Sequence, residues 1–180
     1  MSLMANTSAD YFHTTNANTL YGTATSTNNV NIDDLNSIDR SALMDLYHAT
    51  NGPKWHNKLN WGSTLPISEW KGVTVNKQGY VAKLTLPSNN LNGSIPMSIY
   101  YLESLRELDL RLNQLHGPVP ETIGHMKQLT HVYLQSNRLS GAIPSTIGEL
   151  SQLVLLDLRC NQLSDHVPKS FAQLKKLKYL

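Results

Sequence analysis

The residues of this chain best suited to chemistry come as a repeated phrase. Leu-Asp-Leu-Arg occurs twice, with Asp109 and Arg111 in one copy and Asp157 and Arg159 in the other. Midway between them stands Val-Tyr-Leu-Gln, which carries Tyr133 and Gln135. Two positions ahead of Asp109, Tyr133 and Asp157 are Glu107, His131 and Leu155. A guanidinium offers a planar fork of N–H donors that matches a carboxylate, and Arg and Tyr are enriched among side chains that carry binding energy at interfaces. The same residues permit a hydrolytic reading, with Asp109 and Asp157 as paired carboxylates. A general acid needs a raised pKa, whereas an arginine two positions along should hold each aspartate ionised. The pattern therefore favours recognition over catalysis.

Other chemistries find less support. His116, His131 and His166 fall on different faces of the repeat and no His-Glu-x-x-His occurs, so no metal site is expected. The lone Cys160 cannot form an internal disulfide or a multi-cysteine zinc site, and it lacks an obvious activating base. No glycine-rich phosphate loop is present, so no nucleotide cofactor is expected. The net charge of +2 over 180 residues is too small to announce a nucleic-acid partner. No run of ~18 apolar residues exists, so no membrane span is expected. Charge is unevenly placed: residues 1–39 hold no Lys or Arg but four Asp, while Lys169, Lys175, Lys176 and Lys178 make the far end basic, read as a solvated face.

These residues are placed by a 24-residue repeat from residue 78 onward. Apolar columns read Leu84, Leu108, Val132, Leu156, Leu180 and Leu86, Leu110, Leu134, Leu158. Then come Asn89, Asn113, Asn137, Asn161 and Leu91, Leu115, Leu139, Leu163. Ile95, Val119, Ile143, Val167 precede Pro96, Pro120, Pro144, Pro168. Leu-x-Leu alternation predicts a short strand with its apolar face inward. One coil cannot bury its own face, so coils must stack, with equivalent strands ~4.7–4.9 Å apart in a parallel sheet. The Asn column falls where the chain leaves the strand, and its amides should bond turn backbone. Residues 94–96 and their equivalents should run extended, followed by a short helical turn near Pro-x-x-Ile-Gly.

The exposed strand columns are then Lys83, Glu107, His131, Leu155, Tyr179; Thr85, Asp109, Tyr133, Asp157; Pro87, Arg111, Gln135, Arg159; and Ser88, Leu112, Ser136, Cys160. Two coils separate Asp109 from Asp157, on the order of 10 Å, which slightly exceeds the ~6.5–9.5 Å of an inverting glycosidase pair.

Ahead of the repeats, residues 1–36 are rich in Asn, Thr and Ser without apolar periodicity and read as a disordered tail. Residues 37–50 predict one amphipathic helix with Ile38, Leu43, Leu46 and Tyr47 on its apolar face, stopped by Asn51-Gly52-Pro53. Residues 54–76 carry Trp55, Trp61 and Trp70, expected to seal the open end of the stack.

The phrases LESLRELDLRLNQLHGPVPETIG and HVYLQSNRLSGAIPSTIG resemble the plant-type leucine-rich repeat, over roughly residues 37–180. The resemblance implies an α/β repeat solenoid: a right-handed superhelix with a parallel concave sheet, a helical N-terminal cap over residues 37–77, and four full repeats with a fifth begun over residues 78–180. The plant cap has two cysteines flanking Trp-x-Gly-Val; Ser68 and Val75 stand at the matching positions around Trp70, Gly72 and Val73. The wording LYHATNGPKWHNKLNWGS looks most like repeat proteins of protists and bacteria. The resemblance further implies a non-catalytic module that binds a protein or peptide on the concave strands, through Glu107, Asp109, Arg111, His131, Tyr133, Gln135, Leu155, Asp157 and Arg159. The alternative is a sensor or regulatory segment of a larger receptor or enzyme cut at Leu180. Self-association through an uncapped C-terminal edge is a further expectation. With no signal-peptide pattern and no disulfide, the expected location is cytoplasmic, with an extracellular one as the alternative. Inhibitors of polysaccharide-degrading enzymes share the repeat, but that reading requires secretion.

Overall fold

The computed structural model describes residues 37–180. The segment 1–36, expected to be disordered, lies outside the described residues. Helix α1 spans Ser37–Ala49 and strand β1 spans Val73–Val75. Successive coils contribute β2 (Val81–Thr85), β4 (Glu107–Asp109), β6 (His131–Tyr133) and β8 (Leu155–Asp157) to one sheet. They contribute β3 (Asn92–Gly93), β5 (Gln114–Gly117), β7 (Arg138–Ala142) and β9 (Gln162–Ser164) to a second. In the first sheet β1 pairs antiparallel with β2, and β2, β4, β6 and β8 are parallel. Leu84, Leu108, Val132 and Leu156 lie in register, as the 24-residue period requires. Tyr179 continues the ladder by a bridge to Leu155. The fold is a leucine-rich-repeat solenoid with a helical N-terminal cap.

The core is the apolar columns themselves. Leu84, Leu91, Leu110, Leu115, Val132, Leu134 and Leu139 are fully buried, and each such side chain stabilises by about 1.5–3 kcal/mol. The Asn column works as the turn chemistry demanded. Asn113 Nδ2 donates to the carbonyls of Leu86 and Leu110 (2.9 Å each), while its Oδ1 accepts from the N–H groups of Asn89 (2.9 Å) and Leu91 (3.0 Å). Asn137 and Asn161 repeat the pattern one and two coils on. Each amide thus closes its own turn and ties it to the coil before.

Two details, at Ile38 and at the fourth exposed column, differ from the sequence-based expectation. The second sheet pairs at 92–93, 114–117, 138–142 and 162–164, just ahead of the Ile/Val-Pro positions. Pro96 is extended (φ −71°, ψ 149°) but has no N–H to give a ladder, so the pairing falls earlier. The helical turns do follow each proline, as 3-10 turns at Met97–Tyr101, Glu121–His125, Ser145–Glu149 and Lys169–Gln173. Ile38 does not belong to the buried face of α1: it is exposed, and Asp39 is buried in its place. Asp39 accepts the N–H of Val81 (2.7 Å), which fastens the helix to the first long strand. The fourth exposed column is a corner rather than a strand position. Ser88, Leu112, Ser136 and Cys160 all have φ between 51° and 58°, the left-handed region that ends each strand.

The cap end is closed by aromatic packing. Trp55, Trp61 and Trp70 are buried, with ring centroids 4.8 Å (Trp55–Trp61) and 5.1 Å (Trp61–Trp70) apart. Arg40 on α1 donates to the carbonyls of Ser63 (2.9 Å) and Leu65 (2.7 Å) and lies 4.9 Å above the Trp70 ring. Gly72 sits at φ +87°, where a Cβ would come within 2.4 Å of the Thr85 carbonyl oxygen. Only glycine tolerates both conditions, which accounts for the Trp-x-Gly-Val wording. Among the described residues no helix is long and apolar enough to cross a membrane.

Candidate functional site

The first sheet carries every residue singled out from the repeat. Glu107 and Asp109 come from β4, His131 and Tyr133 from β6, Leu155 and Asp157 from β8, with Arg111, Gln135 and Arg159 just past the strand ends. The in-register ladder places Asp109, Tyr133 and Asp157 side by side, and Glu107, His131 and Leu155 side by side. The columns therefore form one surface.

That surface has a layered charge. Asp109 is buried against the sheet, and Asp157 nearly so. Each receives the backbone N–H of the arginine two residues on, at 3.2 Å. Arg159 adds a two-pronged bond, Nε at 2.9 Å and Nη2 at 2.7 Å from the Asp157 carboxylate. Arg111 is held more loosely, with Nε 3.4 Å from Asp109, and its guanidinium lies 5.4 Å from the Tyr133 ring centroid. The arginine side chains stay 41% and 75% exposed while their aspartates keep 5% and 12%. The carboxylates sit beneath and the guanidiniums face out. Nearer the strand starts, Lys83 and Glu107 close an ion pair at 2.8 Å, so that part of the face is locally neutral. His131 stacks alongside Tyr133, with centroids 6.3 Å apart. Gln135 is half-buried, and its amide oxygen is enclosed without a hydrogen-bond partner among the described residues.

The two aspartates differ in a way the sequence did not anticipate. Arg159 holds the Asp157 carboxyl below its ordinary range, as expected. Burial outweighs Arg111 at Asp109 and raises that carboxyl instead. The expectation that the neighbouring arginine holds each aspartate ionised meets an opposing force at Asp109, where desolvation outweighs the loose guanidinium. Proximity in sequence gave the pairing but not its tightness.

One further ladder escaped the sequence reading. Thr122, Thr146 and Ser170 donate their hydroxyls to the carbonyls of Met97 (3.0 Å), Glu121 (2.7 Å) and Ser145 (2.6 Å), tying the 3-10 turns of successive coils. The signal was a Ser/Thr column two residues after each proline. Among the described residues, no three His, Cys, Asp or Glu gather as a metal site would require.

Family models for the leucine rich repeat match residues 80–139 and 127–180. The chain belongs to the leucine rich repeat family. Its fold is similar to the BIR2 ectodomain from Arabidopsis thaliana, with a TM-score of 0.73 and 28% identity, covering 78% of this chain and 77% of that one. It is also similar to the structure of the BIR3–SERK2 complex from the same plant, with a TM-score of 0.69 and 31% identity, covering 79% of each chain. Receptor-like protein 3 of Arabidopsis thaliana is 42% identical over 77 residues, which is 42% of this chain and only 10% of that protein.

These likenesses are to plant proteins, and they lend no support to the protist or bacterial resemblance of the cap wording. They also overturn the expected cytoplasmic location, because the matching structures include a plant ectodomain, the part of a protein outside the cell. The inference from cysteine count failed for a physical reason. A disulfide is one way to close the cap, and here edge-on and tilted tryptophans and Arg40 close it instead, so the absence of a cysteine pair carries no information about compartment.

Proposed function

We propose that this leucine-rich-repeat module holds a protein or peptide partner on the concave sheet and performs no catalysis. The observation that carries the reading is the group of Arg111, Tyr133 and Arg159, in which one outward guanidinium is held on Asp157 by a two-pronged bond and the other lies 5.4 Å from the Tyr133 ring centroid. Fixing a long side chain before binding reduces the entropy lost on binding, and exposed Arg and Tyr are side chains that anchor interfaces. The similar BIR3–SERK2 structure is itself a complex between proteins. Glu107, His131, Gln135 and Leu155 complete the surface, with Asp109 and Asp157 acting through their arginines.

A second reading makes the module the ligand-sensing part of a larger receptor. It is favoured by the likeness to an ectodomain and by the short share of Receptor-like protein 3 that the chain matches. Both readings use the same face. Affinity capture of secreted and surface proteins with the wild type and with a Tyr133→Ala, Arg111→Glu double variant tests it. A protein retained by the first and lost by the second, with both equally folded, is the expected result. Equal capture by both overturns the concave-face assignment.

A further inference from the structure

We infer that Asn92 carries an asparagine-linked glycan, added at the sequon Asn92-Gly93-Ser94. The inference rests on the extracellular location that the likeness to a plant ectodomain supports. It places the sugar on the second sheet, apart from the concave columns.

The asparagines around this position differ in what their side chains do. Asn89, Asn113, Asn137 and Asn161 spend their amides on turn backbone, and Asn90 Nδ2 donates to the Lys54 carbonyl at 2.9 Å. Asn92 is exposed, and its side chain makes no hydrogen bond among the described residues. Its backbone is nevertheless held: the Asn92 N–H donates to the Thr50 carbonyl (3.0 Å), and the residue pairs with Gln114 on β5. An ordered strand therefore presents an unused carboxamide to solvent.

The fold accounts for the middle of the sequon and not for its two ends. Gly93 packs so closely against the end of α1 that a Cβ would run into the Ala49 carbonyl, and glycine recurs at this place as Gly117 and Gly141. Ser94 is exposed like Asn92, and its hydroxyl makes no hydrogen bond among the described residues. In the later coils the positions of Asn92 and Ser94 are taken by His116 and Pro118, Ser140 and Ala142, and Ser164 and His166. The repeat thus demands neither an asparagine nor a hydroxyl here, and one coil supplies both. Asn-x-Ser/Thr, with x other than proline, is the pattern at which a side-chain amide accepts a glycan.

The co-reactant is an oligosaccharide carried on a lipid pyrophosphate. Asn92 Nδ2 attacks the anomeric carbon, and the new N–C bond replaces the C–O bond to the pyrophosphate. The lipid pyrophosphate leaves with that electron pair, and one amide proton passes to a base of the transferring enzyme. Asn92 lies on β3, at the end of the second sheet, whereas Asp109, Tyr133 and Asp157 lie on the first. A bulky, solubilising sugar on β3 leaves the concave columns uncovered.

The test expresses the full-length wild type, Asn92→Gln, Ser94→Ala and Ser94→Thr in the source cells. Chains recovered separately from the cytosol and from the medium and cell surface are treated with peptide N-glycosidase, which leaves Asp where a glycosylated Asn stood, and are mapped by mass spectrometry. The second sequon, Asn6-Thr7-Ser8, lies outside the described residues and is read as its own peptide in the same map. The expected result is loss of a glycan's mass and Asp at position 92 in the wild type and in Ser94→Thr, with no glycan there in Asn92→Gln or Ser94→Ala. An unmodified Asn92 in wild-type chain from the medium or cell surface overturns the inference and leaves the extracellular location standing. Unmodified chain found only in the cytosol overturns both. A glycan that stays on Asn92 in Ser94→Ala overturns the part assigned to the Ser94 hydroxyl.

Discussion

The cap and the coils solve one problem by opposite means. Both must bury apolar surface while giving every turn its hydrogen bonds. The coils do it by repetition: Asn113, Asn137 and Asn161 each make the same bridges, and no single one is unique. The cap does it once, with residues that occur nowhere else in the fold. Trp55 donates its indole N–H to the Thr50 carbonyl (3.0 Å), Trp61 donates to that of Lys71 (2.8 Å), and Arg40 and Asp39 reach 23 to 42 residues along the chain for their partners. Stability in the coils is therefore shared among equivalent positions, and stability in the cap is concentrated.

The largest effect should come from the cap. Trp70 is almost wholly buried between Trp61 and the Arg40 side chain. Trp70→Ala should cost about 3–5 kcal/mol, as for other large-to-small aromatic changes in cores. Trp70→Phe sharpens the point, because the Trp70 indole N–H has no hydrogen-bond partner among the described residues and none is lost. It should cost distinctly less than Trp70→Ala in chemical denaturation. Equal losses for the two variants would mean that ring packing is not what holds the cap.

The coil counterpart is Asn113→Leu. It strips the Leu86 and Leu110 carbonyls and the Asn89 and Leu91 N–H groups of their partner. Unpaired buried groups cost about 1–3 kcal/mol each and some will find water, so a loss of roughly 2–3 kcal/mol is expected, below that of Trp70→Ala. Denaturation of the two variants side by side decides the order. A melting temperature within error of the wild type would remove the Asn ladder from the account of the fold.

A gain should be available at the corners. Leu112 holds a left-handed φ of 58° with its side chain exposed. That conformation costs a branched side chain about 1–2 kcal/mol, and Asn tolerates it better. Leu112→Asn should therefore raise stability by somewhat under ~1 kcal/mol. No gain in the thermal midpoint would show that Leu112 has a packing role on the rim that its exposure conceals.

This contrast also explains what could be read in advance. The coils were legible because period, strand and turn each leave a column, and a column repeated four times outweighs chance. The concave residues were legible by subtraction, as positions in the repeat that vary. The cap was legible only as a composition, a helix and three tryptophans. Nothing in Ile38-Asp39-Arg40 signals that the apolar residue faces solvent and the acid is buried, because the reason is the N–H of Val81, far away in sequence. Burial of Asp109 beneath Arg111 was hidden likewise, since Asp-x-Arg is written identically at Asp157 and the difference lies in how closely each guanidinium settles.

The smallest effect is one of slope, and it sets the cap against the concave face directly. Burial raises the Asp39 carboxyl above its ordinary value of 3.8, with Glu103 adding to the effect and the Val81 N–H opposing it. A folded-state pKa above the unfolded one means that the folded protein binds the proton more tightly. Stability from this group is complete below the unfolded value and falls as pH rises through the folded one. Asp157 runs the other way, because Arg159 lowers its carboxyl. Its contribution is present above the ordinary value and is lost as pH falls toward the depressed one. Measured against Asp39→Asn, the wild type should lose relative stability as pH climbs from about 3 to 7. Measured against Asp157→Asn, it should gain over the same range. Thermal unfolding of the three proteins in a pH series reads both slopes at once, and two slopes of the same sign would mean that burial does not separate the cap carboxylate from the one on the concave sheet.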